Sequence, residues 1–196
     1  MTIFGTRPEI IRLSRIFELL DKNFDHIMVN TSQNYTPELN SIFFSDLKIR
    51  KPNYNLKIKT NGFGEEVADI IKKTEKIIEK EKPDLLLILG DTNSGLSAIV
   101  AAHHEVKIVH LEAGMRAYDF RMPEDKNRIL IDHLSTILLP YTAYSRENLI
   151  RENIHPSKIY VVGNPIIEVI NYFLPNIDSS KILNKMKLKS KNYFLV

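Results

Sequence analysis

Charged side chains follow the ends of several apolar, strand-like runs in this sequence. Arg7 and Asp91 each come just after a glycine that ends such a run, and Glu112 ends another. A carboxylate at the end of a buried strand is partly desolvated, which raises its pKa and suits a general acid or base near neutral pH. An arginine offers paired donors to a phosphate or a carboxylate. The residue types therefore indicate acid–base chemistry beside an anion site, although Arg7 could also lie in an ordinary strand-to-helix turn.

A third carboxylate, Glu124, opens a predicted helix soon after Glu112, and Arg128 lies four residues further on the same helix face. Each group also has a structural interpretation. Asp91 could cap the following helix. Glu112 could form an ion pair with Arg116 or Arg128, and Glu124 could form a surface pair with Arg128. The grouping of three carboxylates favours a functional site.

The elements that must position these residues alternate along the chain. Short apolar runs at 2–4, 27–30, 85–89, 107–111, 136–139 and 158–162 predict strands. Amphipathic segments that begin near Pro8, Gly64 and Pro123, and a shorter one after Pro165, predict helices between them. Nearly continuous apolar strands are typical of a parallel sheet covered on both faces. We therefore predict an α/β fold whose strands end at one ligand-binding edge.

Composition narrows the function class. The 196 residues suffice for one domain with a fragment of a second, and 43% hydrophobic with 26% charged residues is typical of a soluble globular protein. The net charge is only +3, and the basic residues are spread along the chain without forming a basic patch, which argues against a nucleic-acid partner. No cysteine is present, and the histidines lack metal-like spacing. The chain opens without a signal peptide and has no apolar run of membrane-spanning length, so we expect a cytoplasmic protein with no membrane partner.

Six ordered segments resemble the motifs of the non-hydrolysing UDP-N-acetylglucosamine 2-epimerases. They are residues 4–9, 31–35, 90–94, 110–116, 123–128 and 162–165. The resemblance covers nearly the whole chain and implies a Rossmann-like amino-terminal half of a glycosyltransferase-B type fold. It also implies interconversion of UDP-GlcNAc and UDP-ManNAc by elimination and re-addition of UDP, with a UDP-N-acetyl sugar as the small-molecule partner and with no redox cofactor or metal.

The same resemblance assigns roles to individual residues. Asp91, Glu112 and Glu124 match the catalytic carboxylates. The substrate-binding residues it implies are Arg7, Gln33, Arg116 and Arg128, together with Arg12, which stands where the family commonly has a lysine; either residue type could bind a phosphate. Ser32 stands where the family usually has glycine, and Asn34 replaces a histidine found in members regulated by a second substrate molecule, which argues against allosteric activation here.

The resemblance also predicts how the chain is divided. Residues 1–174 form the Rossmann-like domain, 175–191 a connecting segment, and 192–196 the first strand of a second domain that this chain lacks. The chain alone should then be weak or inactive, and the full-length form should be a homodimer. The alternatives are an epimerase of another UDP-N-acetyl sugar, a glycosyltransferase of the same architecture, and a non-catalytic half that binds a sugar or a partner subunit.

Overall fold

A parallel sheet forms the centre of the molecule. The computed structural model describes residues 1–32, 37–58, 61–119, 121–190 and 192–194. In these residues the strands are β1 (Thr2–Phe4), β2 (Met28–Asn30), β3 (Tyr54–Asn55), β4 (Leu85–Leu89), β5 (Lys107–Leu111) and β6 (Ile137–Leu139). They lie in the order β3-β2-β1-β4-β5-β6, and all neighbouring pairs are parallel. This is the Rossmann strand order, so the predicted fold class is confirmed.

Helices connect the strands. They are α1 (Arg7–Asn23), α2 (Pro37–Asp46), α3 (Phe63–Glu81), α4 (Ala98–His103), α5 (Pro123–Leu134), α6 (Ala143–Arg151), α7 (Ile166–Asp178) and α8 (Ile182–Lys185). A 3₁₀ turn, Asn93–Ser97, leads into α4. The helix starts predicted near Pro8, Gly64, Pro123 and Pro165 are confirmed. The Glu9 side chain fixes the start of α1 because it accepts a hydrogen bond from the Thr6 N–H at 2.7 Å.

The core occupies both faces of the sheet. Successive strand residues point to opposite faces, so Leu86 and Ile88 pack with α3 and α4, whereas Leu87 and Leu89 pack with α1 and α2. A third apolar cluster joins α6 to β6 through Leu149 and its neighbours. Helices therefore cover both faces, and the loops that carry the charged motifs are left at the carboxyl edge.

The strand predicted at 158–162 is reduced to a single bridge between Ile159 and Leu138. The Tyr160 N–H still donates to the Leu138 carbonyl at 2.9 Å, and the Val162 N–H donates to the Pro140 carbonyl at 3.0 Å. The segment lies beyond β6, and its residues 160–162 remain exposed because no described element covers them. Pairing with one neighbour is thus too incomplete to form a strand.

The carboxyl-terminal segment differs in detail from the prediction. Helix α7 continues to Asp178 with Pro175 inside it, and so crosses the predicted boundary after residue 174. Residues 192–194 show no strand, and 195–196 lie outside the described residues. The predicted start of a second domain therefore stays a prediction.

Candidate active site

Four side chains meet at the carboxyl edge of the sheet, and we call them the carboxylate–arginine cluster: Arg12, Asp91, Glu112 and Arg128. Arg128 Nη2 lies 2.5 Å from Asp91 Oδ2 and 2.8 Å from Glu112 Oε1, and Arg12 pairs with the other Glu112 oxygen. Glu112 and Arg128 are 8% and 9% exposed, whereas Asp91 and Arg12 are 23% and 22% exposed. The cluster therefore has a buried pair and two members that face solvent.

The backbone at Glu112 is held in an uncommon conformation. Its φ of 72° lies in the left-handed region, which costs free energy for a residue with a side chain. The Glu112 N–H donates to the Leu139 carbonyl at 3.1 Å, and the Gly90 N–H donates to the Leu111 carbonyl at 2.9 Å. A Cβ on Gly90 would lie 3.2 Å from Glu112 Oε1. The glycine at the end of β4 thus leaves room for the carboxylate at the end of β5.

The turn that carries Asp91 is fixed by helix α5. Asn127 Nδ2 lies 3.1 Å from the Asp91 carbonyl and 3.2 Å from Asn93 Oδ1, and donates to both. The next residue, Arg128, contacts the Asp91 carboxylate. Thr92, and not Asp91, precedes the 3₁₀ turn as its cap. Neighbouring residues of one helix therefore hold the backbone and the side chain of the Asp91 turn.

Gly114 allows the chain to turn sharply after Glu112. Its φ is 74°, and a Cβ there would lie only 2.2 Å from the Ser145 carbonyl oxygen and 2.7 Å from Leu149 Cγ. Asn148 Nδ2 donates to the Gly114 carbonyl at 2.9 Å. Helix α6 consequently packs directly against the backbone that follows Glu112.

Comparison with known proteins identifies the family. A family model described as UDP-N-acetylglucosamine 2-epimerase matches residues 18–196. The chain belongs to this family. It is 44% identical over 168 residues to the UDP-N-acetylglucosamine 2-epimerase of Methanocaldococcus jannaschii, which covers 85% of this chain and 46% of the relative. It is 38% identical over 200 residues to the enzyme of that name from Methanococcus maripaludis, covering 99% of this chain and 54% of the relative.

Solved structures of the 2-epimerase family have the same fold. A UDP-N-acetylglucosamine 2-epimerase from Rickettsia bellii matches with a TM-score of 0.92 and 43% identity, over 96% of this chain and 51% of that one. The M. jannaschii enzyme in complex with UDP-GlcNAc and UDP matches with a TM-score of 0.89 and 39% identity, over 94% and 52%. The fold is thus the Rossmann-like half of a glycosyltransferase-B type architecture, and the chain spans about half the length of the curated relatives it matches.

Two residues that the family resemblance assigns to the site lie near its rim. Arg7 is in the first turn of α1 and Glu124 in the first turn of α5, and both are exposed. Neither side chain forms an ion pair or a hydrogen bond with another described residue. Arg128 turns to Asp91 and Glu112, so the expected surface pair with Glu124 is not formed. Gln33 lies outside the described residues.

Arg116 is placed apart from the cluster. Its side chain is 1% exposed and lies 2.8 Å from Asp132 and 2.6 Å from Glu152. Burial opposes its charge, but Glu152 and Asp132 outweigh that effect and raise the pKa of Arg116. Of the two structural partners considered for Glu112, the structure therefore selects Arg128, and Arg116 is committed to a separate buried ion pair.

Glu9 is an important residue that the motif analysis left without a role. It is buried and accepts hydrogen bonds from the Gly5 N–H at 3.0 Å and from the Thr92 hydroxyl at 3.0 Å, in addition to that from Thr6. Burial raises the pKa of Glu9, and these hydrogen bonds oppose the rise. Its carboxylate therefore joins the loops that follow β1 and β4. The spacing Thr6-x-x-Glu9 is the sequence signal of this arrangement.

Two buried polar atoms associated with the cluster lack a hydrogen-bond partner in the described residues: Arg128 Nε and the Tyr141 hydroxyl. Burial raises the pKa of Tyr141, whereas the charges of Arg12 and Arg128 oppose the rise. The phenol therefore lies within the electrostatic influence of both cluster arginines. No sequence motif marks Tyr141, because a tyrosine after an apolar strand is commonly a core residue.

An apolar cleft of about 1010 Å³ lies elsewhere, between α1, the sheet and α7. Its lining includes Leu20, Leu85, Val109 and Ile167, and none of the four cluster residues. It offers few groups that could bind a diphosphate. Among the described residues, no group of three or more histidine or acidic side chains is placed to hold a metal ion.

Within the described part of the chain, no helix combines the length and the apolar character needed to cross a membrane.

Proposed function

We propose that this chain supplies the carboxylate-bearing wall of a nucleotide-sugar 2-epimerase that converts UDP-GlcNAc to UDP-ManNAc. One observation carries the proposal. Arg128 contacts both Asp91 and Glu112 at the carboxyl edge of the sheet, and Arg12 contacts Glu112 as well. The names of the relatives support this substrate, as does the related structure that holds UDP-GlcNAc and UDP.

The chemistry requires a proton acceptor near C2 and positive charge near the diphosphate. In the first step, elimination of UDP, the C1–O bond to UDP and the C2–H bond break and a C1=C2 double bond forms. A carboxylate takes the proton. UDP then adds back to C1, and C2 receives a proton from the opposite face. Glu112 is a candidate proton acceptor because its contacts with two guanidinium groups favour the ionised carboxylate, the form that can take a proton. The same contacts weaken it as a base until Arg12 moves away. Asp91 is more exposed than Glu112 and is available to donate the proton to the opposite face of C2.

Arg12 has two competing partners in this mechanism. It pairs with Glu112, and its exposed fraction of 22% leaves it accessible to a phosphate. A guanidinium that moves to the departing diphosphate stabilises that charge. The same movement leaves Glu112 with Arg128 alone, which makes the carboxylate a stronger base. Substrate binding would thereby activate the proton acceptor.

The remaining assignments follow from exposure or, for two buried atoms, from the lack of a hydrogen-bond partner in the described residues. Arg7 and Glu124, exposed at the first turns of α1 and α5, are assigned to the diphosphate and to electrostatic stabilisation near the sugar. The unpaired Tyr141 hydroxyl and Arg128 Nε are assigned to substrate hydrogen bonds. We assign Arg116 a supporting role, because it reaches a substrate only by leaving Asp132 and Glu152.

The proposal includes the domain division, with residues 1–174 as the Rossmann-like domain, 175–191 as a connector and 192–196 as the start of the next domain. The half of the relatives' length that this chain does not span would then complete the site. Dimerisation and a cytoplasmic location remain predictions.

The test combines binding with turnover. An isotope-labelled chain is titrated with UDP-GlcNAc and with UDP alone, and amide shifts are expected at residues 91, 112 and 128. Product formation is followed by NMR, and weak or no UDP-ManNAc is expected from this chain alone. Shifts that avoid the cluster would refute the site. Turnover as rapid as that of a full-length relative would refute the need for a second half, and a product other than the C2 epimer would favour a different nucleotide-sugar enzyme.

A further inference from the structure

We infer that His110 and Asp132 form a buried, charged positioning pair that fixes the two strand ends carrying Asp91 and Glu112. His110 is in β5 and Asp132 is in α5, and both side chains are fully buried. The importance of the pair for catalysis rests on the proposed function, whereas its geometry and charge do not.

The hydrogen bonds of His110 determine where its protons lie. His110 Nε2 is 2.8 Å from the Gly90 carbonyl oxygen, and Nδ1 is 2.7 Å from Asp132 Oδ1. A carbonyl oxygen only accepts hydrogen bonds, so Nε2 must carry a proton. The contact between Nδ1 and the carboxyl group requires a second proton. A neutral imidazole has only one N–H, so the pair holds one proton more than a neutral histidine beside a carboxylate.

The surroundings of Asp132 place the extra proton on the ring. Asp132 Oδ2 accepts a hydrogen bond from the Gly114 N–H at 3.1 Å and lies 2.8 Å from Arg116. Both groups that contact Oδ2 are donors, and one of them is a guanidinium, so they favour the ionised carboxylate. Asp132 is therefore a carboxylate, Nδ1 must donate to its Oδ1, and His110 is an imidazolium. Glu152, on the other side of Arg116, is the next charged group.

His110 and Asp132 each hold the backbone beside one of the two carboxylates of the site. His110 holds the carbonyl of Gly90, the residue before Asp91. Asp132 holds the N–H of Gly114, two residues after Glu112. Asp132 also lies one helical turn after Arg128, so its contacts anchor the part of α5 that carries the cluster arginine.

The pair acts through the backbone. In the described residues, no side-chain hydrogen bond or ion pair joins His110 or Asp132 to a member of the carboxylate–arginine cluster. The two residues are therefore positioning residues that do not touch a substrate bound at the edge. Loss of either residue should displace the strand ends. A pair that only stabilises the fold would not confine the displacement to one strand end, either the one at Gly90 or the one at Gly114.

Two conservative variants each remove one of the two hydrogen bonds of His110 and can keep the other. His110→Gln can place its amide NH₂ where Nε2 lies and so keep the bond to Gly90. His110→Asn can place its amide NH₂ where Nδ1 lies and so keep the bond to Asp132. We expect His110→Asn to shift the amide signals of residues 90–92 more than those of 112–114, and His110→Gln to show the reverse pattern.

The decisive measurement uses the unmodified chain. Long-range ¹H–¹⁵N correlation spectra of histidine-labelled protein at neutral pH should show both His110 ring nitrogens protonated, with the exposed His103 ring as the reference for contact with solvent. A single protonated nitrogen on His110 would overturn the charge assignment even if the variants failed to fold. Equal shifts at both strand ends in the two folded variants would overturn the positioning role. Neither result depends on epimerase activity, so failure of the proposed function would be recognised separately.

Discussion

Replacement of Gly114 by alanine tests whether the turn after Glu112 is fixed by contact with helix α6. The backbone φ of 74° places this residue in the left-handed region. An added Cβ would lie 2.2 Å from the Ser145 carbonyl oxygen and 2.7 Å from Leu149 Cγ. The nearest of these atoms belongs to the backbone of a helix, so it cannot rotate away as a side chain could. Either α6 or the turn must move.

The expected loss has two parts. A left-handed conformation costs a residue with a Cβ roughly 1–2 kcal/mol. Overpacking against a rigid neighbour costs roughly 1–3 kcal/mol more. We therefore expect Gly114→Ala to lower the free energy of unfolding by roughly 2–5 kcal/mol, a large fraction of the stability of an ordinary domain.

Gly163→Ala is the matched control. Gly163 has nearly the same φ, 80°, but among the described residues other than its chain neighbours no atom lies within 4 Å of the position of its Cβ. It should therefore show only the conformational part, roughly 1–2 kcal/mol. Urea unfolding followed by far-ultraviolet circular dichroism gives both values, and an unchanged slope would show that the denatured state is unaffected. Equal losses in the two variants would refute the argument that α6 contacts the Gly114 backbone.

Four further substitutions test the site. In a complete, active epimerase, Glu112→Gln should reduce UDP-ManNAc formation about a hundredfold or more, and near-normal turnover would restrict Glu112 to a structural role. Arg128→Met should destabilise the chain in urea by about 3 kcal/mol, because it leaves two partly buried carboxylates without their shared cation; the 90% exposed Arg121→Met is the control and should show no measurable loss. Glu9 has a folded-state pKa above its ordinary value of 4.5, so its stabilising contribution is complete below that pH and is lost as pH rises through the folded-state pKa. Glu9→Gln should therefore gain stability relative to the unmodified chain between pH 4.5 and neutrality, and a pH-independent difference in urea midpoint would contradict this. Tyr141→Phe removes a buried hydroxyl that has no partner in the described residues, so it should leave stability unchanged or raise it by about 1 kcal/mol while weakening UDP-GlcNAc binding in a titration; unchanged affinity would exclude the phenol from the binding site.

The sequence predicts the fold class and the edge of the sheet well. Apolar strands alternate with amphipathic helices, and parallel strands bring their carboxyl ends together, so the sequence alone predicts that Asp91 and Glu112 lie near each other. The predictions are weaker where a segment has few neighbours. Strand β3 contains two residues, and residues 158–162 pair with only one strand, so local pattern alone could not decide their state.

The turn at Gly114 explains why a nearby residue in sequence does not join the cluster. Arg116 follows Glu112 by four positions, which suggested a shared site. The left-handed backbone at Glu112 and Gly114 changes the direction of the chain between them. Arg116 consequently enters the space between α5 and α6, where Asp132 and Glu152 lie. Sequence spacing gives contacts on a regular helix, but it does not give them across such a turn.

Sequence spacing also fails to predict the ion-pair partners of Arg128, although this residue lies on a regular helix. Glu124 precedes Arg128 by four residues, and this spacing favours a surface ion pair that contributes only a few tenths of a kcal/mol. Asp91 and Glu112 offer two carboxylates in a less exposed environment, where an unpaired charge is costly and an ion pair is stronger. The long-range partners therefore prevail, and Glu124 is left exposed at the rim. The local pattern marks these charged residues as candidates, but only the tertiary fold, which determines how far each carboxylate is removed from water, selects the ion-pair partners among them.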